Sequence, residues 1–490
     1  MSKKLSEALD HISDKHIAEA ASAKSCRRYQ IPAAIAAILA LVLVISLLIQ
    51  PLMPGTSGNV TLSSQPLMPG TSGNVTLSSQ FLVAEPQYPE MAPYPVDYDE
   101  DKSNAWFNQQ WELHNQPEGY ADSLDSYFAS ITNTLLSNTD GKNAACSPVN
   151  IYLALAMLAE TTDGDSRQQI LDLLGADSIK DLRTQAEQVW KGHYNDDGLT
   201  TSILANSLWL EDGYIYNKET VDRLADNYYA SVFQGDLGSE EMNQVLRDWI
   251  NHQTGNLLQD QTQDLKLDPQ TVLALVSTIH YQVQWQESFQ EKANTETVFH
   301  GTAGDTTETF MNQTFIYNPY YWSDNFGAVY LSLEDNSRMW LILPDEGVTP
   351  EELLSSGEAM AFLRQNAYEY ENRKPLMIHL SVPKFDISSD LEISRQLKDL
   401  GITDVFIPGT ADFTPIILEN DGGYVSQVKH ATRVAINEEG VTAAAFTVIL
   451  RAGAAMPPKD EMDFVLDRPF LFIIESQDGL PLFAGVVNQP

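Results

Sequence analysis

Hydrophobic residues recur at two different spacings in the second part of the chain, and each spacing predicts its own kind of element. Apolar positions spaced as on one face of a helix occur at 123–136 and 149–162. Apolar runs rich in strand-forming residues occur at 271–282, 337–344 and 424–439. Helices cluster early and strands cluster late, so we expect an α+β fold with one large sheet-centred domain over 121–490.

The segment 424–439 shows the strand pattern most clearly. Its polar residues Lys429, Arg433 and Asn437 would lie on one face of a strand, and the residues between them at every second position would lie on the other face. The predicted inward face consists of Val428, His430, Thr432, Val434 and Ile436.

The most apolar stretch of the chain is IPAAIAAILALVLVISLLI at 31–49. This length suffices to cross a bilayer core as a helix, so we predict a signal-anchor helix over 31–50 after a cytoplasmic segment 1–30. Lys24, Arg27 and Arg28 precede the apolar run, which places the chain after residue 50 outside the cell in a single-pass membrane protein. The alternative is a cleaved signal peptide and a secreted protein, although its charged region is usually shorter.

The next part of the chain, 51–120, has no apolar period. The unit PLMPGTSGNVTLSSQ stands at 51–65 and is repeated letter for letter at 66–80, and its composition is typical of a flexible spacer. Residues 81–120 are acidic and rich in proline. We therefore predict a flexible stalk over 51–120.

Charge and motif content exclude several classes of function. The formal net charge of −38 argues against nucleic acid or anionic lipid as a partner of the folded part. The two cysteines, Cys26 and Cys146, form no CxxC motif or Cys/His cluster, so we expect neither structural zinc nor a disulfide framework. Hydrolase, zinc-protease and P-loop motifs do not occur in the sequence, and we expect no enzyme activity, no metal and no cofactor.

One segment near the C-terminus combines the properties of a loop and of a buried strand. It reads INEEGVTAAAFTVILRAGAAMPP at 436–458, and Arg451 is its only charge between Gly440 and Gly453. Apolar residues on both faces suit a central strand covered on both sides. The prolines Pro457 and Pro458 then prevent the ladder from continuing.

Several segments of this domain resemble the serpin family of serine protease inhibitors, in that family's order. The resemblance covers nearly all of 121–490 and suggests a membrane-anchored member of the bacterial type. It implies a large central mixed sheet with further sheets, about eight to nine helices and an exposed reactive-centre loop. The matching segments lie at 143–175, 203–210, 228–237, 250–258, 273–289, 382–406, 411–416 and 464–490.

The resemblance also implies a function for the unusual segment, with 438–458 as the reactive-centre loop. A target serine protease would cut this loop and become covalently acylated, and the loop would then insert into the main sheet between 271–282 and 424–437. The protein would act once, as a monomeric suicide substrate, and would form loop–sheet polymers on heating. The implied hinge consists of Glu438, Glu439, Gly440, Val441, Thr442, Ala443, Ala444 and Ala445.

Two counts place the cleaved bond at Ala454–Ala455. One runs the family's usual interval forward from Gly440, and the other runs back from the two prolines. Alanine on both sides suits an elastase-like or subtilisin-like protease, while Arg451 offers a trypsin-like alternative.

Residues of the region where the sheet opens are also carried over from the family. They are His430, Asn150, Ser147, Ser277, Trp285 and Lys384. Ser277 stands where the family commonly has asparagine and Asn150 where it commonly has serine, which suggests a compensating swap. Val441 replaces the usual threonine or serine, and Phe446 replaces a small residue. These two departures keep open a non-inhibitory serpin that acts as a surface binding module.

Overall fold

Two large sheets and the helices around them build the part of the chain that is described in a computed structural model, namely residues 79–95, 99–365, 370–419, 423–441 and 460–490. The predicted cytoplasmic segment 1–30, the predicted membrane helix 31–50 and most of the tandem repeat lie outside these ranges. Within them, no helix is both long enough and apolar enough to span a membrane.

Seventeen strands lie within the described residues. They are β1 Leu82–Ala84, β2 Ala144–Cys146, β3 Asn195–Asp196, β4 Thr201–Glu211, β5 Ala230–Gly235, β6 Leu273–Gln284, β7 Thr295–Gly301, β8 Gly304–Trp322, β9 Phe326–Ser332, β10 Arg338–Pro344, β11 Arg373–Pro383, β12 Phe385–Glu392, β13 Lys429–Ile436, β14 Gly440–Val441, β15 Glu461–Val465, β16 Phe470–Glu475 and β17 Pro481–Val487.

The strands form two mixed sheets. The first sheet has the order β1-β5-β4-β6-β14-β13-β12, with β3 paired to β4. The second has the order β15-β11-β8-β9-β10-β16-β17-β2, with β7 paired to β8. Strands that are neighbours in space but distant in sequence give the α+β architecture that the sequence predicts.

Eleven α-helices accompany the sheets in the described part of the chain. They are α1 Glu100–His114, α2 Asp125–Leu136, α3 Pro148–Thr161, α4 Gly164–Leu174, α5 Ile179–His193, α6 Lys218–Tyr228, α7 Glu240–Gln253, α8 Gln259–Thr262, α9 Pro350–Ser355, α10 Glu358–Leu363 and α11 Ser394–Asp399.

The predicted periodic segments form the predicted elements. Helices α2 and α3 coincide with the two helical patterns, β6 and β10 overlap two of the strand patterns, and β13 forms only the middle of the third pattern, 424–439. Strand β13 buries every second residue, from His430 to Ile436, as the alternation requires. Helix α3 is buried almost all round and packs against the first sheet, so it is a central helix rather than a surface one.

The N-terminal segment differs from the predicted flexible stalk. Over 79–95 and 99–120 the chain is ordered and packs on the domain, whereas 51–78 lies outside the described residues. Strand β1 pairs antiparallel with the edge strand β5, and the Tyr88 ring stacks on Trp190 with a centroid distance of 5.4 Å. The indole nitrogen of Trp106 in α1 donates to Asp197 at 3.0 Å. Isolated anchors such as these leave no periodic signal in the sequence.

Candidate functional site

The strands β6 and β13 frame an incomplete position in the first sheet. Between them lies β14, which has only two residues, Gly440 and Val441. Val441 pairs with Val283 of β6 and with Ile436 of β13. Strand β6 has twelve residues and β13 has eight, so most of their facing edges lie beyond the end of this short ladder. The start of the predicted loop therefore already occupies a strand position.

The two residues of β14 fill a tightly confined space. The side chain of Val441 is 1% exposed and joins the main apolar core, where valine replaces the expected threonine or serine. A Cβ atom on Gly440 would lie 2.2 Å from the carbonyl oxygen of Val283. A hinge glycine is usually explained by its conformational freedom, but the φ angle of Gly440 is not positive, and its close approach to β6 is what requires a residue without a side chain.

A compact turn of three residues joins β13 to β14. The side-chain oxygen of Asn437 accepts hydrogen bonds from the backbone nitrogens of Glu439 and Gly440, at 2.9 Å and 3.1 Å. Trp285, which follows β6, fixes the turn from the other side. Its indole nitrogen donates to the Asn437 carbonyl and its backbone nitrogen donates to the Glu439 carbonyl, both at 2.9 Å.

Glu438 connects this turn to the neighbouring elements. Its carboxylate accepts from Nζ of Lys384 at 2.6 Å and from the amide of Asn294 at 2.5 Å. Partial burial opposes ionisation, but these hydrogen bonds outweigh it and hold the pKa of Glu438 below its usual value. The structure thus joins the predicted residues Lys384, Trp285 and Glu438 in one cluster at the top of the sheet.

A second cluster joins β6 to β13 through the start of α3. The backbone nitrogen of Ser147 donates to Nε2 of His430 at 2.9 Å, and Ser147 Oγ caps α3 by accepting from the Asn150 nitrogen at 3.3 Å. Ser277 of β6 contacts the Asn150 side chain and donates to Asn206 at 2.7 Å. The two residues of the suggested swap, Ser277 and Asn150, are therefore in direct contact.

His430 is held as a neutral ring in this second cluster. Because Nε2 accepts a hydrogen bond from a backbone N–H, the ring proton resides on Nδ1. The residue is 5% exposed, and burial lowers its pKa to about 4. Protonation would remove the acceptor and place a charge between α3 and β13.

The structure describes only part of the predicted loop. Glu438, Glu439, Gly440 and Val441 are placed as above, whereas Thr442, Ala443, Ala444, Ala445 and the predicted bond Ala454–Ala455 lie outside the described residues. Two polar residues of the cluster around Glu438, Asn294 and Asn437, were not predicted from the sequence. Asn437 stands before Glu-Glu-Gly, a context in which an Asx turn could have been predicted.

Comparisons with known proteins agree with this geometry. The family model "Serpin (serine protease inhibitor)" matches residues 124–490. Plasminogen activator inhibitor 1 of Sus scrofa is 27% identical over 369 residues, which cover 71% of this chain and 87% of that protein.

Solved structures show the same fold. The native state of the thermophilic serpin tengpin matches with a TM-score of 0.67 at 24% identity, over 77% of this chain and 95% of that chain. Human thyroxine-binding globulin complexed with thyroxine matches with a TM-score of 0.65 at 21% identity, over 76% of this chain and 99% of that chain. Because the family model covers most of the sequence, this chain belongs to the serpin family.

Proposed function

We propose that this chain is a suicide-substrate inhibitor of serine endopeptidases. The observation that carries the proposal is β14, whose two residues form the first rungs of a strand between β6 and β13. The residues that follow Val441 are uncharged as far as Leu450, and those as far as Ala445 are also small, so they suit continuation of that strand.

The proposed mechanism uses no catalytic residue of this chain. The nucleophile of the protease attacks the carbonyl carbon of Ala454, the peptide bond to Ala455 breaks, and an acyl bond joins the inhibitor to the protease. The freed loop then extends β14 between β6 and β13. The newly inserted residues, 442–454, number thirteen, and at roughly 3.3 Å each they would carry the acylated protease about 40 Å from its first position.

Alternation along the inserted strand explains the alanines. Val441 faces the core, so Ala443 and Ala445 would face it as well, while Thr442 and Ala444 would face the other side. Small side chains at 443 and 445 would enter the closely packed interior without displacing neighbours. Alanine on both sides of the proposed bond favours an elastase-like or subtilisin-like target, and Arg451 marks a trypsin-like alternative.

Incubation of the full chain with an elastase-like protease tests this function directly. We expect an adduct that survives denaturing electrophoresis and a released peptide that begins at Ala455. Cleavage of the loop without an adduct would contradict suicide inhibition, because the loop would then behave as an ordinary substrate.

A non-inhibitory binding protein is the second candidate. It is supported by Val441, which departs from the usual hinge residue, and by thyroxine-binding globulin, a member of the same fold whose solved structure holds thyroxine. The two candidates differ after cleavage of the loop. An inhibitor gains a large amount of heat stability when its cut loop inserts, whereas a serpin whose loop stays out gains none.

We further propose that residues 31–50 anchor the chain in the cell membrane and that the inhibitory domain faces outward. The support is the apolar run itself and the basic residues before it. Protease treatment of intact cells should digest or modify the domain. Protection of the domain until the cells are lysed would overturn this orientation, and recovery of a shortened soluble form would favour the cleaved signal peptide.

A further inference from the structure

A cleft of about 430 Å³ lies between α1 and the body of the domain. One wall is formed by α1, and the others are formed by the end of α5, the turn before β4 and the turns that join β9 to β10 and β16 to β17. This volume falls within the range of small-molecule sites. The cleft borders neither β14 nor the polar clusters at the hinge, and the proposed function makes no use of it.

His193, at the end of α5, lines this cleft and carries a buried hydrogen-bond acceptor that has no partner among the described residues. Nδ1 of His193 lies 2.6 Å from the Val189 carbonyl oxygen, which can only accept, so the proton resides on Nδ1. Nε2 therefore presents a lone pair, and it is buried without a partner among the described residues. His193 is 5% exposed and lines the cleft, and burial lowers its pKa below the ordinary value, which keeps the ring neutral. An N–H or O–H donor, which a ligand in the cleft can supply, would satisfy an acceptor in this position.

The charge of the cleft is negative. Among the residues that line it there is no lysine or arginine, and Asp197, Glu334, Asp335 and Asp478 contribute carboxylates. Asp197 and Asp335 are satisfied by hydrogen bonds from the protein, the former from Trp106 and the latter from Tyr281. Asp478 is exposed, accepts from Tyr120 at 3.0 Å, and forms no salt bridge within the described part of the chain. Its Oδ2 lies 3.7 Å from the place of a Cβ on Gly192, the neighbour of His193.

Aromatic rings complete the wall that α1 contributes. Phe107 and Trp111 stand one helical turn apart and line the cleft, and they are 62% and 69% exposed. Exposed aromatic faces beside carboxylates attract organic cations through the ring quadrupole. No group of three His, Cys, Asp or Glu side chains in the described residues could hold a metal ion, so the donor set favours an organic cation over a bare metal.

We propose that this cleft binds a small organic cation with N–H donors, an alkylammonium or guanidinium compound. One N–H donates to Nε2 of His193, the positive charge lies beside Asp478, and the carbon chain rests on Trp111 and Phe107. This ligand satisfies the buried acceptor and the negative charge together, which neither an anion nor a neutral apolar molecule does.

Calorimetric titration of the full chain with agmatine, which carries one guanidinium and one ammonium group, tests the site. We expect saturable binding of one molecule per chain, and no binding of the uncharged 1,6-hexanediol. Binding should weaken about tenfold in His193→Phe, which removes the acceptor, and in Asp478→Asn, which removes the charge. The matched control Asp264→Asn removes an exposed carboxylate that does not line the cleft and should leave the affinity unchanged.

Two results would overturn the proposal. One is the absence of saturable binding up to millimolar agmatine in the unmodified chain. The other is equal weakening in Asp478→Asn and Asp264→Asn, which would show general attraction to an acidic surface. Should His193→Phe fail to fold, Asp478→Asn decides the question, because that side chain is exposed.

Discussion

At the scale of single residues, the hinge depends on contacts between positions far apart in the sequence. Gly440 is fixed by the backbone of Val283, and Glu438 by Lys384 and Asn294. The family resemblance predicts Gly440 and Glu438 as hinge residues and Lys384 as a residue of the region where the sheet opens. The distance that excludes a side chain at 440 could not be predicted, because it depends on how closely β14 and β6 approach.

Replacement of Gly440 by alanine should disturb the hinge. The new methyl group meets the Val283 carbonyl oxygen at 2.2 Å, so β14 must leave its ladder or β6 must shift, at a cost of about 1–3 kcal/mol. Chemical denaturation should show this loss, and more inhibitor should be consumed as substrate per protease trapped. The control is Gly423→Ala, where the only neighbour of the added methyl among the described residues is Ile417, at an ordinary 3.5 Å. Equal effects of the two substitutions would contradict this account.

His430 should make stability depend on pH. Its pKa is about 4 in the fold and about 6.5 in an unfolded chain, so the unfolded chain binds the proton more readily. The contribution of the neutral ring is complete above pH 6.5 and is lost as the pH falls toward 4. Between pH 7.5 and pH 5 this loss should reach ~2 kcal/mol, at 1.4 kcal/mol per pH unit.

Denaturation at the two pH values, compared with His430→Gln, isolates this contribution. Glutamine can accept from Ser147 without titrating, so the variant should show a smaller decrease in stability between pH 7.5 and pH 5. Equal decreases in the two proteins would show that other groups, such as the half-buried His280, whose pKa burial also lowers, account for the pH dependence.

At the scale of elements, the periodicity of apolar residues predicts the helices and strands that repeat such residues along their length. Helices α2 and α3 and strands β10 and β13 repeat apolar residues along their length, so their positions could be predicted from sequence. The N-terminal segment could not be predicted in this way. Its anchors, Tyr88 and Trp106, pack on residues of α5 and of the turn before β4 rather than on each other.

The alternation in the proposed inserted strand predicts opposite results at adjacent residues. Glutamate in place of Ala443 would put a charge into the core and should convert the inhibitor into a substrate. Glutamate in place of Thr442 would face the other side and should leave most of the inhibition intact. The number of inhibitor molecules consumed per trapped protease measures both variants. Equal loss of inhibition in the two would contradict the proposed facing.

The N-terminal segment should stabilise the domain on which it packs. Tyr88 lies against Trp190, Tyr194 and Tyr229, so Tyr88→Ala should lower the free energy of unfolding by about 2 kcal/mol and expose 79–95 to proteases. The control is Tyr424→Ala, because Tyr424 is 45% exposed and should matter little. Unchanged stability and protease resistance in Tyr88→Ala would show that the segment is not bound in solution.

At the scale of the whole molecule, no described strand continues β14 between β6 and β13, so the loop of a second copy can pair at that position. Heating should therefore give ordered polymers whose rate of formation rises with protein concentration. Native electrophoresis and light scattering measure them, and a peptide of the sequence TAAAFTVILRAG should slow their formation by competing for the same position. Unfolding as monomers at every concentration would count against this expectation.

The two residues of β14 also affect how fast the cleaved loop can insert into the sheet in the proposed mechanism. Formation of the first residue pairs is the slow step when a strand adds to a sheet, because ordering the chain costs entropy and these pairs gain few hydrogen bonds. Here the pairs of Val441 with Val283 and Ile436 exist before any bond is cut, so the register is set in advance. After cleavage only elongation remains, and elongation competes with water for the acyl bond. Because the hinge is already paired in the sheet, we expect loop insertion to be faster relative to hydrolysis of the acyl bond than it would be from an unpaired hinge.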